Sequence, residues 1–178
     1  MEQYYYMEPK SAGFVVPKIN YEGANNWYAE ARYNYEEIQT ASIHFGKKFS
    51  LEHLSALEIT PLAGICFGAL NGASLGSTIE LSVNRFTFYS EPQYVYSFKD
   101  TTGSYFYSWS EVVYELSSSF YSGLALQQTK MITQAHFFEP GVVAGFTFKN
   151  FDVPLYCFSL FNDKRNFVLG VNWKWHKQ

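Results

Sequence analysis

No stretch of this chain approaches the roughly 18 consecutive apolar residues of a membrane-spanning helix. Hydrophobic residues nevertheless make up 47% of it, at a mean hydropathy of -0.18, so they are dispersed and not pooled. Charge is scarce: Asp, Glu, Lys and Arg are 16% of residues, against roughly 25% in ordinary soluble domains. One whole face of the structure is therefore expected to lack an ionic coat. The net charge of -3, with no Lys/Arg stripe, excludes nucleic acid as a partner. Cysteine is limited to Cys66 and Cys157, far apart and without a C-x-x-C, and both are read as packing thiols. Histidine is limited to His44, His53, His136 and His176, none spaced with another His or Cys as metal ligands are, so neither metal nor cofactor is expected. The opening MEQYYYMEPK has neither the basic start nor the apolar core of a signal peptide.

Aromatic residues are abundant: 17 Phe, 15 Tyr and 4 Trp. They gather at the ends of alternating runs of roughly ten to fourteen residues, as in a transmembrane β-barrel whose rings sit at both lipid–water interfaces. The first run sets Trp27, Ala29, Ala31, Tyr33 and Tyr35 against Tyr28, Glu30, Arg32, Asn34 and Glu36. The second places Ala41, Ile43, Phe45 and Phe49 opposite Ser42, His44 and Gly46. The third and fourth put Leu57, Ile59, Ile65, Leu75, Ile79 and Leu81 outward, with Glu58, Thr60, Ser74, Thr78 and Glu80 inward. The fifth turns Phe86, Phe88, Tyr94 and Tyr96 outward and Arg85, Tyr89, Glu91 and Gln93 inward. In the sixth, Tyr105, Tyr107 and Trp109 as lipid-facing residues conflict with inward Glu111 and Glu115, so a β-bulge is expected near Ser110 and Glu111. Weaker runs follow at 120–129, 142–148 and 151–160, and a strong one closes the chain with Phe167, Leu169, Val171 and Trp173.

The expected fold is all-β: an antiparallel, up-and-down transmembrane β-barrel of about ten strands, eight or twelve being the other even counts allowed. It forms one domain over residues 25–178, preceded by a tail or short extra strand over 1–24. If the first run points outward, short turns fall at one end, at 50–55, 84–85, 117–119 and 149–150. Longer connections then fall at the other, at 36–39, 70–72, 99–104, 130–141 and 162–165.

The segments NNWYAEARYNYEE, YFYSWSEVVY, YSGLALQ and RNFVLGVNW resemble a group of uncharacterised small outer-membrane-like β-barrel proteins of Gram-negative bacteria, over nearly everything from Pro17 onward. The resemblance implies the fold and an outer-membrane location, and brings no activity and no assigned residues. Such barrels commonly end on an aromatic residue, whereas His176, Lys177 and Gln178 follow Trp175 here. On this reading the chain is the mature form, with Met1 in place of a leader.

Inward-facing Glu30, Arg32, Glu58, Glu80, Arg85, Glu91, Glu111 and Glu115 are expected to form a polar network in the lumen. It serves as a packed polar core, or more sharply as a lumen that attracts cations or conducts protons. A ligand is expected at the outer loops, above all at 130–141 with His136, Phe137 and Phe138. His136 with Glu139 is the one outer-loop pair suited to acid–base chemistry, but no G-x-S-x-G or H-E-x-x-H accompanies it. The functional expectation is a monomeric, non-enzymatic barrel in the lipid bilayer, of structural, binding or small-solute passage type. The alternatives are a soluble lipocalin-like or fatty-acid-binding-like barrel with the faces reversed, and an outer-membrane lipid-modifying enzyme.

Overall fold

The computed structural model describes residues 1–7, 12–51, 56–132, 136–160 and 165–175. Among them thirteen strands follow one another: β1 (Glu2–Met7), β2 (Phe14–Glu22), β3 (Trp27–Tyr33), β4 (Thr40–Lys47), β5 (Phe49–Leu51), β6 (Leu57–Gly68), β7 (Gly72–Val83), β8 (Phe86–Ser97), β9 (Tyr105–Glu115), β10 (Phe120–Met131), β11 (Phe137–Phe148), β12 (Phe151–Phe158) and β13 (Asn166–Trp173). All pairings are antiparallel, and all join sequence neighbours apart from the closing pair β1–β13 and the pair β4–β6. β5 continues β4 past Lys48 in one register against β6, with Gly46 opposite Leu62 and Phe49 opposite Ile59. The sheet is therefore a closed barrel of twelve staves, and closure leaves no unpaired edge.

Twelve staves replace the expected ten because β1 and β2 belong to the wall. β1 lies between β13 and β2, with Tyr4 facing both Gly170 and Val16. Both strands hide from a reading by alternation. Tyr4, Tyr5 and Tyr6 are chemically alike although they alternate in facing, and Pro17 interrupts the second run.

The connections alternate as the sequence implies. One end of the barrel, the turn end, holds both described termini and tight turns such as Asn84-Arg85 and Lys149-Asn150. The first residue of each adopts positive φ (Asn84 55°, Lys149 54°), matching the right-handed twist of the flanking strands. The other, the loop end, carries connections at 8–13, 34–39, 69–71, 98–104, 132–136 and 159–165. The long loop expected at 130–141 is mostly strand: β10 and β11 pair as far as Thr129 and Phe137, leaving 132–136 between them.

The faces are decided as well. Ile19, Phe45, Ile65, Leu75, Leu124 and Leu155 are exposed on the outside, Leu124 at 68% and Leu75 at 67%, while Lys18, Glu30, Arg32 and Glu91 are buried inside. A soluble barrel with the polarity reversed does not fit this arrangement.

The β9 expectation fails. Its register runs unbroken against β8 and β10, with Glu91 opposite Trp109 and Glu111 opposite both Tyr89 and Ala125, so no bulge forms. Tyr105, Tyr107 and Trp109 share the inner face with Glu111, and Ser108 and Ser110 face outward. Those serines escape isolation by pairing with each other (3.3 Å) and with Ser90 (2.9 Å from Ser110). Tyr35, expected outside, also turns inward, because β3 ends at Tyr33 and Asn34 takes φ 59°.

Closure through β1 has a direct test. In a chain with Cys66 and Cys157 replaced by serine, cysteines at facing positions Gln3 and Val171 should crosslink on oxidation, whereas Gln3 with Leu169, out of register, should not. The measurement is mobility of the denatured chain on a non-reducing gel. Equal crosslinking of both pairs contradicts the seam.

Candidate functional site

The interior divides into two halves. On one side Trp109, Tyr156, Phe158, Val143 and Val168 form an apolar core with Tyr4 and Tyr6 against it. The Trp109 ring stands edge-on to Tyr156 (4.7 Å between centroids) and to Phe158 (5.2 Å). Glycines facing the lumen make room for large groups: a Cβ at Gly145 would meet the Tyr121 ring at 2.1 Å, and one at Gly64 the His44 ring at 2.2 Å. This aromatic half is why β9 points its rings inward.

On the other side β2, β3, β4 and β8 bring together an ion network. Lys18 Nζ lies 2.5 Å from Glu91, 3.5 Å from Glu2 and 3.6 Å from Glu30. Arg32 donates from Nε to Glu30 (2.6 Å) and from Nη1 to Gln93 (2.9 Å), and its Nη1 stands 3.6 Å from Glu36. His44 shares a hydrogen bond with the Ser74 hydroxyl at 2.6 Å. Tyr89 donates to Glu91 at 2.5 Å. Lys18, Glu30, Arg32 and Glu91 are each 6% exposed or less, so each charge must be met by a partner.

The β3–β4 connection folds into the loop end of the lumen instead of standing above it. Tyr35 stacks under the Arg32 guanidinium (4.1 Å) and donates to Glu91 at 2.6 Å. Burial and the neighbouring Glu91 carboxylate push its phenol well above the ordinary value, so it remains a donor. Asn34 donates to the Val15 carbonyl and accepts from the Gln39 amide, and the Tyr105 hydroxyl donates to the Glu36 carbonyl. Two half-open recesses of about 190 and 210 Å³ flank this connection. Tyr35, Glu36, Glu37 and Tyr107 line both.

Of the residues singled out from sequence, Glu30, Arg32 and Glu91 meet in the network. Glu111 lies on the aromatic side, accepting from Trp109 Nε1 at 3.4 Å. Glu58 and Glu80 face each other toward the turn end, Glu115 is exposed there, and Arg85 is in a tight turn. At the loop end Phe137 and Phe138 are exposed at the start of β11, with the His136 ring 4.0 Å from that of Phe138. His53 and His176 lie outside the described residues. Lys18 and Tyr35 were missed, and His44, Glu36 and Gln93 read as inward without being marked as a site. For Lys18, His44 and Gln93 the available signal was parity, which puts them on the inner face with Glu30, Arg32 and Glu91; Tyr35 has the opposite parity and turns inward only because the chain leaves β3 at Asn34. Cys66 and Cys157 are free thiols. Among the described residues no three His, Cys, Asp or Glu are grouped to hold a metal.

No protein-family model matches the chain, and no curated protein matches it. Solved structures do. The KdgM porin in complex with disordered oligogalacturonate superposes with a TM-score of 0.73 at 12% identity over 98% of each chain. A NanC porin superposes at 0.71, with 12% identity over 98% of this chain and 99% of that one. The chain therefore shares its fold with these outer-membrane porins.

Lys18 is the cation that meets the most carboxylates, Glu2, Glu30 and Glu91. Lys18→Met keeps the bulk and leaves Glu91 and Glu30 short of a counter-charge, which should cost about 3–5 kcal/mol. Lys48→Met, at the partly exposed pair with Glu22 (2.8 Å), should cost about 1 kcal/mol or less. Urea unfolding of the lipid-inserted protein measures both. Equal costs would contradict the network's role.

Proposed function

We propose that the protein is an outer-membrane β-barrel of a Gram-negative bacterium that admits small solutes through a narrow, cation-preferring lumen, with no catalytic step. The observation that carries this reading is the combination of a twelve-stave closed barrel on the porin plan with an apolar exterior and a charged interior. A lumen with charged walls in a low-dielectric surround selects by sign and size.

The sign follows from the inward residues. Among the described residues Lys18, Arg32 and Lys48 meet carboxylates within the barrel, while Arg85 and Lys174 lie at the turn-end rim. Toward the turn end Glu2, Glu22, Glu58, Glu80, Glu115 and Asp152 share the inner face. A polyanion such as the oligogalacturonate bound by the KdgM porin would meet repulsion along this wall, whereas small cations and neutral solutes would not. The size follows from packing. Tyr35, which lies against Arg32 and donates to Glu91, stands edge-on to Tyr107 of β9 at 5.9 Å between centroids. Passage is thus limited to small molecules while the β3–β4 connection stays folded in.

Reconstituted into vesicles, the protein should admit a monosaccharide in a swelling assay, and in a potassium chloride gradient the reversal potential should have the sign of cation preference. Tyr35→Ala, which removes the ring bridging Arg32 and Glu91, should raise the swelling rate. Inserted, folded protein that admits neither ions nor sugar would turn the reading toward a structural or binding barrel.

A further inference from the structure

Among the described residues the buried part of the ion network is one positive charge short. Lys18 and Arg32 serve three buried carboxylates, Glu30, Glu36 and Glu91, and Lys18 also meets the partly exposed Glu2. His44 would balance the count only as a doubly protonated ring. Its Nδ1 makes no hydrogen bond, its Nε2 shares one with the Ser74 hydroxyl, and the ring reaches the carboxylates only at 3.7 Å (Nε2 to Glu36) and 3.9 Å (Nδ1 to Glu30). A low-dielectric interior does not hold an uncompensated carboxylate cheaply. The carboxylate with an oxygen to spare is Glu36: its side chain is buried, Oε1 is approached by Gln93 and Arg32, and Oε2 has no hydrogen-bond partner.

Glu36 also stands between the two recesses of the loop end. Among the described residues neither lining includes a lysine or arginine. The larger recess is further walled by Phe14 and by Gln127, which is 7% exposed and whose Nε2 likewise lacks a partner. One cavity thus offers a carboxylate oxygen needing a donor, an amide needing an acceptor, and the rings of Tyr35 and Tyr107. Its 210 Å³ equals the space of about seven waters at ~30 Å³ each, which suits one sugar-sized molecule and no polymer.

We propose that this recess is a binding subsite for a sugar-sized solute carrying an ammonium group, the ammonium on Glu36, a hydroxyl on Gln127 and the carbon skeleton against the tyrosines. The assignment rests on the solute-passage reading and names the solute class at the loop end of the same lumen.

The test is calorimetric titration of the folded protein in detergent micelles, in mildly acidic buffer, with glucosamine, glucose and galacturonic acid. Glucosamine should bind about tenfold tighter than glucose, and galacturonic acid more weakly than either. Glu36→Gln, checked for folding by heat-modifiable migration, should bring glucosamine to the level of glucose. Equal affinity for the three sugars overturns the proposal without any variant. So does displacement of glucosamine by an equal concentration of potassium, which would mark a plain cation site, or unchanged glucosamine binding by folded Glu36→Gln. Binding without solute flux through vesicles would remove the passage reading and leave the subsite; flux without binding would do the reverse.

Discussion

A sheet that closes on itself satisfies every backbone donor and acceptor within the wall, and in hydrocarbon only such a structure, or a helix, can do so. Closure here depends on β1 lying between β13 and β2, and it fixes the parity of every stave: once Glu2 faces the lumen opposite Asn172, each register around the ring decides which residues follow it in. The chain's chemistry is then divided by parity. Phe45, Leu75 and Leu124 go out, and Lys18, Arg32 and Glu91 go in, although they neighbour apolar residues in sequence.

The interior resolves the cost of that division in two ways. Where apolar residues face inward they pack ring against ring, as Trp109 does with Tyr156 and Phe158. Where charges face inward they share partners, Glu91 receiving Lys18, Tyr35 and Tyr89. The two halves fill the lumen between them, with the β3–β4 connection set into the loop end. The porin fold is thereby kept in the wall while the bore is narrowed by side chains.

From β3 onward much of this was legible. The faces of β3, β4, β6, β7 and β8 follow from strict alternation, and tight turns such as Asn84-Arg85 mark the strand ends. What stayed hidden did so for physical reasons. Three consecutive tyrosines in β1 carry no contrast between faces, and the proline in β2 argues against a strand. In β9 lipid-facing was equated with aromatic. A small barrel also has an apolar half inside, so Tyr105, Tyr107 and Trp109 fill it, while Ser108 and Ser110 satisfy each other on the outer wall. The ion network was legible as a set of inward charges. Its membership was not, because the meeting of Lys18 with Glu91 is a contact between residues 73 positions apart.

Parity is set by closure and not by the hydrophobicity of the individual residue, and Trp109 is where the two disagree. Single-tryptophan variants keeping either Trp27 or Trp109, inserted into vesicles containing bromine-labelled lipid, report lipid contact through quenching. Trp27, 59% exposed on the outer wall, should be quenched, and Trp109, 8% exposed in the lumen, should not. Quenching of Trp109 to the extent of Trp27 would place β9 in the opposite facing and contradict the interior described for this barrel.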